Sequence, residues 1–409
     1  MIDYYETKAH PITKKMVLDA YKEIKTNGKA AGVDGVSLEE YGEKLPANLY
    51  KLWNRLTSGS YYPANVREKL IPKKDGGNRS LGIPTVEDRI AQQVVKAYLE
   101  PKVDHTFHPD SYGYRRGKNA HQALRKGVER CYRHNWVLDL DIKSFFDTID
   151  HELMLKAPRH YTHDKWILLY VERWLKAGML KEDGSVETRI EGSAQGSVIS
   201  PLLANIFLHF TSDKWMEKYF PSVPFERYCD DAIIHCKSEK QAIFMKAKIA
   251  ERMKECRLSL NMEKTHIAYC RSKNRMEKHK NVSFDFLGHT YRPKWCKTKH
   301  GNMLLFTPVM SRKAKKRVTA KIREMEIYKF SGRIQELAKK INMKTRGWIN
   351  YYCVFNKWET VHLWWRLNLR LTKWVANYRK MNIRKAEKWL SGIYKTNPGL
   401  FEHWKLSHP

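Results

Sequence analysis

The chain has 409 residues, too many for one ordinary hydrophobic core, so we expect two or three domains. Its 76 lysine and arginine residues exceed its 44 aspartate and glutamate residues, and the formal net charge of +32 indicates a polyanionic partner such as nucleic acid. A membrane-surface protein is the competing interpretation, but the sequence has neither a basic amphipathic terminus nor an apolar run of about eighteen residues.

The cysteines and the first residues bear on the compartment. Seven cysteines are scattered along the chain and no two form a CxxC pair, so neither a zinc knuckle nor a disulfide framework is supported. The opening ten residues, MIDYYETKAH, lack the basic start and the apolar core of a signal peptide. We therefore expect a cytoplasmic protein with reduced thiols.

A basic hairpin is predicted at residues 67–84. The turn signal Asp75-Gly76-Gly77 lies between two strand-like runs that carry several basic residues, among them Lys73 and Arg79. Arginine as a fork and lysine as a point charge suit the binding of a triphosphate. Charged residues are also common on edge strands because they prevent aggregation. The pattern alone leaves both interpretations open.

Residues 111–124 combine basic side chains with tyrosines. Arg115, Arg116 and Lys118 follow closely on Tyr112 and Tyr114. Such clusters suit stacking on bases and pairing with phosphates. A purely structural role for the two tyrosines is an equal alternative.

An acidic strand is predicted at residues 136–142. Apolar residues run through it, interrupted by Asp139 and Asp141, which lie on one face because side chains alternate along a strand. Carboxylates inside an apolar strand are costly unless they are paired or bind a metal.

A second acidic segment is predicted at residues 225–236, with Asp230 and Asp231 in a tight turn between two apolar strands. Such a turn favours Asn-Gly or Asp-Gly, and two adjacent carboxylates repel each other, so a divalent cation is the simplest compensation. A solvated turn is the alternative. Together with Asp141 the pair supplies three carboxylates, enough to surround two Mg²⁺ ions in an in-line displacement.

The C-terminal part is strongly basic and rich in tryptophan. From residue 292 to the end there are 28 lysines and arginines against six glutamates, and eight of the thirteen tryptophans follow Lys294. We predict basic helices from Lys294 onward that serve mainly as a binding surface. The tryptophans could instead bury the helices against one another.

Three motifs occur in the order DIKSFFDTI (residues 141–149), SAQGSVISPLLANIFL (residues 193–208) and YCDD (residues 228–231). This set resembles the reverse transcriptases encoded by bacterial group II introns, whose usual forms are D-[LI]-x-K-F-F-D, P-Q-G-x-x-x-S-P-L-L-x-N and Y-A-D-D. The chain departs from them at Ala194, where proline is common, at Ser197 and Val198, and at Cys229, where alanine is usual.

The resemblance implies roles for individual residues. Asp141 matches the first catalytic aspartate, because the aromatic sugar gate Phe146 follows it by five positions, and Asp139 is the alternative. Asp230 and Asp231 match the second and third. With the backbone of Ile142, these three acids would hold two Mg²⁺ ions, for which Mn²⁺ can substitute.

Further sites follow from the same resemblance. The implied nucleotide-binding residues are Lys73, Arg79, Phe146, Gln195 and Gly196. Lys264 is a candidate general acid near the departing pyrophosphate, with a surface lysine as the alternative. Residues 343–356 resemble the maturase or thumb domain of these intron proteins. The candidate contacts to template, primer or intron RNA are Arg115, Arg116, Lys118, Arg346, Trp348, Arg366, Arg370 and Lys373.

The implied fold is α+β, a right-hand polymerase whose antiparallel catalytic sheet packs on helices, followed by an α-helical thumb. We expect an N-terminal extension and fingers at residues 1–110, a palm at 111–291, a thumb or maturase domain at 292–360, and a short basic helical DNA-binding-like segment at 361–409. No endonuclease is expected, because its Cys and His ligand spacing is missing from this sequence.

The implied function is RNA-directed DNA synthesis from dNTPs on an RNA template with a DNA or RNA primer. Binding of intron RNA to assist splicing and mobility is expected beside it, in the cytoplasm of a bacterium and without a membrane partner. One alternative is an RNA-binding splicing factor with a weak or vestigial polymerase site. The other is a domesticated, free-standing reverse transcriptase. The sequence leaves the oligomeric state open.

Overall fold

A computed structural model describes residues 10–26, 30–72, 77–299 and 301–409. Lys73 and most of the predicted turn at residues 75–77 lie outside the described residues. Among the described residues there are fifteen α-helices: α1 Lys14–Lys25, α2 Leu38–Glu43, α3 Leu45–Ser58, α4 Val86–Val103, α5 Ala120–Arg133, α6 Phe145–Thr148, α7 His151–Arg159, α8 Lys165–Lys176, α9 Ser200–Leu208, α10 Lys214–Tyr219, α11 Glu239–Glu255, α12 Arg312–Glu324, α13 Ile334–Asn356, α14 Val361–Tyr378 and α15 Ile383–Thr396. Within these ranges no helix is both long and apolar enough to span a membrane.

The strands form three sheets. Eleven are found in the described part of the chain: β1 Val66–Pro72, β2 Asn78–Ile83, β3 Trp136–Leu140, β4 Met179–Leu180, β5 Val186–Glu187, β6 Phe225–Tyr228, β7 Asp231–Cys236, β8 His266–Tyr269, β9 Phe284–Phe286, β10 His289–Thr298 and β11 Gly301–Met310. Their orders are β2-β1-β4-β5, β6-β7-β3-β8 and β11-β10-β9.

The chain divides into two compact units. The first unit comprises Met1–Asn119, Leu140–Ala232 and Ile243–Thr265, and the second comprises Ala120–Asp139, Ile233–Ala242 and His266–Pro409. Each unit therefore draws on separated parts of the sequence.

In the first unit, β1 and β2 confirm the predicted basic hairpin. They pair in antiparallel register from Arg67 opposite Ile83 to Pro72 opposite Asn78. Helix α4 follows directly and is capped by Thr85, whose side chain accepts a hydrogen bond from the backbone N–H of Asp88. The hairpin is thus joined to a well-defined, buried helix.

In the second unit, the acidic residue Asp139 of strand β3 has a partner in the neighbouring strand. The apolar residues of β3 are buried, whereas Asp139 is half-buried and lies opposite His266 of the antiparallel strand β8. The Asp139 carboxylate is 3.6 Å from Nε2 of that histidine. Asp139 therefore has a structural partner inside the sheet.

The region after Lys294 corrects one prediction. We expected helices there, but the structure has the hairpin β10–β11, with His289 opposite Met310 and Thr298 opposite Gly301. Burial alternates along β11, the period of a strand, and Pro293 and Pro308 both disfavour a helix interior. The basic helices begin only at α12.

The helices from α12 to α15 share an apolar core. Trp364, Trp374 and Trp404 are fully buried in it. At these three positions the tryptophans stabilise helix packing, which was the structural alternative left open by the sequence.

Candidate active site

The acidic turn of the first unit is built around Cys229. Strand β6 ends at Tyr228 and β7 begins at Asp231, so Cys229 and Asp230 form the turn. The φ angle of Cys229 is 59°, which is the left-handed region that favours glycine. The strand–turn–strand prediction is confirmed, but the residue with positive φ is the cysteine and not an aspartate.

A buried arginine supports this turn. Arg227 is 1 % exposed, and its Nη1 donates to the carbonyl oxygen of Cys229 at 3.0 Å. Its Nε and Nη2 donate to the two carboxylate oxygens of Asp213 at 2.8 and 2.6 Å. Burial by itself raises the pKa of Asp213, but the paired guanidinium lowers the pKa below its usual value. The pair is ionised and fixes the backbone next to Asp230.

Gly113 packs against the same turn. A Cβ at this position would lie 2.5 Å from the backbone nitrogen of Cys229, so only glycine fits. The Gly113 carbonyl accepts a hydrogen bond from the Asn205 amide at 2.7 Å, and Asn205 in turn accepts from Arg227 at 3.0 Å. Segments that are distant in sequence therefore hold the turn in one position.

Asp141 follows the end of β3 and is fixed through its backbone. Its N–H donates to Oγ1 of Thr265 at 3.2 Å, and its carbonyl accepts from the N–H of Asn261 at 2.8 Å. Ile142 forms an antiparallel bridge with Leu260, flanked by these bonds. In such a pair the carbonyl of Ile142 points away from Leu260.

The three predicted carboxylates influence one another. Asp231 keeps some surface exposed to solvent, but many protein atoms lie close to its carboxylate. The resulting desolvation, together with the charges of Asp230 and Asp141, raises its pKa to about 7. The charge of Arg79 on β2 acts in the opposite direction. The structure thus brings one acid from the DIKSFF motif and two from YCDD within electrostatic range.

Carboxylate oxygens are the ligands that hard divalent cations prefer. Within residues 10–26, 30–72, 77–299 and 301–409, however, no three His, Cys, Asp or Glu side chains form a group that could hold a metal ion. Like charges repel, and a cation is what draws several carboxylates to one point. The three carboxylates are of the donor type that such an ion prefers, and their shared coordination of it stays a prediction.

The Gln195-Gly196 loop joins two other predicted site elements. The Gln195 carbonyl accepts from the N–H of Gly82 on β2 at 2.8 Å, and Ser193 N–H donates to the carbonyl of Phe146 on α6 at 2.7 Å. Gly196 has φ 112°, and a Cβ there would lie 2.7 Å from the Gly82 carbonyl oxygen. The loop therefore brings the strand of Arg79 and the half-buried gate candidate Phe146 to one place.

Gln92 on α4 was missed by the sequence analysis. This residue is buried, its Oε1 accepts from the backbone N–H of Val198 at 2.8 Å, and its Nε2 donates to Oγ of Ser197 at 3.2 Å. Gln92 thus holds the far side of the Gln195 loop. An amide inside an otherwise apolar helix face was the available signal.

The basic cluster at residues 115–118 has mixed roles. The Arg115 side chain is 7 % exposed and bonds to Asp104 and to the carbonyls of His108 and Ser111. We therefore assign Arg115 to the structure of this loop and correct the prediction that it binds nucleic acid. Arg116 pairs with Glu100 but its side chain is 75 % exposed, and the half-buried Lys118 donates to the carbonyl of Pro109 at 2.8 Å. These two remain candidate contacts.

Lys264 and Arg346 are mostly exposed, whereas Trp348 is partly buried. Lys264 is exposed in the segment from Asn261 to Thr265 that bonds to Asp141. Arg346 is largely exposed although it pairs with Glu402. Trp348 packs partly against the helical core, so much of its surface has a structural role.

The remaining predicted contacts share a groove in the second unit. Arg366, Arg370 and Lys373 on α14 line it together with Arg323 of α12. Its volume is about 300 Å³. The structure brings these three predicted basic side chains together and adds Arg323, which the sequence analysis had not selected.

Two known protein families match parts of this chain. The family described as "Reverse transcriptase (RNA-dependent DNA polymerase)" matches residues 71–291, more than half of the chain. The chain belongs to the reverse transcriptase family. The family described as "Group II intron, maturase-specific domain" matches residues 315–390, which include the basic groove.

Relatives of this reverse transcriptase include two bacterial proteins. Protein YkfC of Escherichia coli (strain K12) is 32 % identical over 69 % of this chain and 81 % of its own length. Group II intron-encoded protein LtrA of Lactococcus lactis subsp. cremoris is 33 % identical over 46 % of this chain, which spans 32 % of LtrA. A solved structure of telomerase from Candida albicans aligns with a TM-score of 0.47 at 11 % identity, over 92 % of this chain and 70 % of that one.

These comparisons confirm several predictions. The chain is an RNA-directed DNA polymerase by family, with a right-hand polymerase fold, and it carries a group II intron maturase domain. Nucleic acid is its class of partner, and divalent metal ions are the class of cofactor that the family uses.

Proposed function

We propose that this reverse transcriptase extends a DNA or RNA primer along an RNA template with dNTPs, using two Mg²⁺ ions held by Asp141, Asp230 and Asp231. Mn²⁺ can substitute for Mg²⁺. The observation that carries the proposal is that the charges of Asp141 and Asp230 both act on Asp231 in the unit that contains the polymerase motifs. When bound, the ions would activate the attacking 3′-oxygen and stabilise the leaving oxygen.

The chain's own residues would orient the nucleotide. Arg79 is exposed on β2 and its charge reaches Asp231, which suits contact with a triphosphate near the acids. The loop of Gln195 and Gly196 is bonded to the same strand and to the turn of Phe146. Base and sugar would then lie against this loop. Lys73 remains a predicted triphosphate contact, and Lys264 a predicted general acid.

We also propose that the maturase domain binds intron RNA and assists splicing and mobility. The groove lined by Arg323, Arg366, Arg370 and Lys373 supports this, because four basic side chains in one depression suit a phosphate backbone. Residues 361–409 remain the predicted DNA-binding-like segment, and the bacterial cytoplasm remains the predicted location.

A primer-extension assay tests the polymerase activity directly. The purified protein with an RNA template, an annealed DNA primer, dNTPs and Mg²⁺ is expected to give full-length DNA, and chelation of the metal is expected to stop synthesis. Activity should return with added Mg²⁺ or Mn²⁺. Tight RNA binding without any extension under either metal would favour the splicing factor with a vestigial site.

Replacement of Phe146 tests the sugar gate. Phe146→Val removes the ring that would contact the 2′-hydroxyl, so we expect ribonucleotide incorporation relative to deoxyribonucleotide to rise by roughly ten- to two-hundred-fold. The measurement is the ratio of kcat/KM for a ribonucleotide and its deoxy form. Phe146→Tyr keeps the ring and should leave the ratio unchanged. An unaltered ratio in Phe146→Val would remove the gate assignment.

A further inference from the structure

Arg189 lies between β5 and the loop that carries Gln195. Its Nε, Nη1 and Nη2 are all shielded from solvent, and none has a hydrogen-bond partner in the described structure. A guanidinium has five N–H donors and stays protonated in proteins. Shielding such a cation from water without an acceptor is unfavourable, so an acceptor from outside the chain is the simplest expectation.

Three other buried arginines of the same unit have hydrogen-bond acceptors. Arg227 bonds to Asp213, and Arg115 bonds to Asp104. Arg89 donates to the backbone carbonyl oxygens of Thr85 and Ala30, so the unit provides an acceptor for each of these three buried arginines. Arg189 has no such bond to any described residue, although two acids act on it. Burial lowers its pKa, and the charges of Glu187 and Asp147 raise it without forming a hydrogen bond to it.

The segment that follows Arg189 is bonded to the proposed nucleotide site. Three residues further on, Gly192 N–H donates to the carbonyl of Ile149 at 2.7 Å, and Ser193 N–H donates to that of Phe146 at 2.7 Å. Asp147, which acts on Arg189, also accepts from Gln195 Nε2 at 3.4 Å. The guanidinium therefore belongs to the same local structure as Phe146 and Gln195.

Ile190, the next residue in the chain, is exposed where the guanidinium of Arg189 is shielded. Ile190 is 86 % exposed, whereas the charged group of Arg189 is shielded. Proteins normally expose the charge and bury the apolar side chain. The backbone here holds both residues in orientations that suit a covering ligand, with an anion at the arginine and an apolar surface such as a base or sugar at the isoleucine.

We infer that Arg189 binds a phosphate group of a substrate of this polymerase, as a fork that donates two hydrogen bonds to phosphate oxygens. The inference rests on the proposed function. The phosphate belongs either to the backbone of a bound nucleic-acid strand or to the triphosphate of the incoming nucleotide. Both sources present the same chemistry to the guanidinium.

Arg189→Met tests this, since methionine removes charge and donors and fits a shielded apolar site. The control is Arg159→Met, which removes the same charge from an exposed arginine at the end of α7. The measurements are the template–primer Kd at several salt concentrations, the KM for dNTP in primer extension, and the Tm. Loss of a charge-assisted bond corresponds to about tenfold or more in affinity.

Two outcomes support the inference. If the Kd for template–primer rises about tenfold and the slope of log Kd against log salt falls by about one, the phosphate is in a strand. If the KM for dNTP rises about tenfold at unchanged Kd, it is in the triphosphate. In either case the Tm of Arg189→Met is not lowered, because an unpaired shielded cation has been removed.

Unchanged Kd and KM in Arg189→Met, equal to those of Arg159→Met, overturn the inference. A lowered Tm with both constants unchanged also overturns it and assigns Arg189 to an internal ion pair. Arg189→Lys keeps the charge but loses the fork, and should raise the same constant by a smaller factor; it decides the question if Arg189→Met does not fold. A wild-type protein that extends no primer contradicts the proposed function instead, and strand binding by the two variants still tests Arg189.

Discussion

Asp230→Ala is expected to lower the rate of primer extension by roughly a thousand-fold or more, because metal-ion stabilisation of such a reaction contributes several kcal/mol. Asp230 lies in the turn next to Asp231, and its charge acts on that carboxylate. The folded structure should persist, since the turn backbone is held by Arg227 through the Cys229 carbonyl. Binding of template–primer should be unchanged or slightly tighter, because one charge that repels phosphate is lost. Single-turnover extension and a binding titration measure the two effects.

Asp139→Ala and Asp141→Ala provide matched controls, since each also removes one carboxylate. Asp139 pairs with His266, so its loss is expected to leave most of the polymerase activity. Loss of Asp141 should reproduce the Asp230→Ala result. The opposite pattern would transfer the role of first catalytic aspartate to Asp139. An active Asp230→Ala enzyme would contradict the metal-site assignment altogether.

Arg227→Met is expected to lower the free energy of unfolding by about 3–5 kcal/mol, as removal of one partner from a buried ion pair does. Asp213 is completely buried and would be left without its guanidinium partner. The Cys229 carbonyl and Asn205 would each lose a hydrogen bond as well. Chemical denaturation followed by circular dichroism measures the loss.

A double variant separates the pair from the packing around it. Arg227→Met combined with Asp213→Leu replaces both charges by apolar groups, so the double variant should be more stable than the sum of the two single losses predicts. Arg257→Met is the surface control: Arg257 pairs with Asp150 but its side chain is 56 % exposed, so its loss should lower the free energy of unfolding far less than Arg227→Met does. Equal losses for Arg227→Met and Arg257→Met would show that the buried pair has no special role.

The sequence predicted the local elements of the candidate site well. The basic hairpin, the buried strand before Asp141 and the strand–turn–strand of residues 225–236 depend on alternation and turn signals between neighbouring residues. The prediction failed where composition was used in place of periodicity. Basic residues after Lys294 indicated helices, but alternating burial and two prolines produce the β10–β11 hairpin.

Residue roles that depend on distant partners could not be predicted in this way. Arg115 was selected as a nucleic-acid contact because of its type, yet its position beside Asp104 makes it structural. Gln92 was not selected, because its partners at Ser197 and Val198 are more than a hundred positions away in the sequence.

By itself the sequence determined the family, the polymerase motifs and the basic character of the C-terminal part, because each of these depends on residue type and short-range spacing. Only the tertiary structure decided that Cys229 takes the strained turn position, that Arg227 and Asp213 support it, and that the Arg189 guanidinium is shielded with no hydrogen-bond partner among the described residues. The physical reason is that burial and hydrogen bonding depend on which segments fold together, and a charged side chain is read correctly only when its surroundings are known.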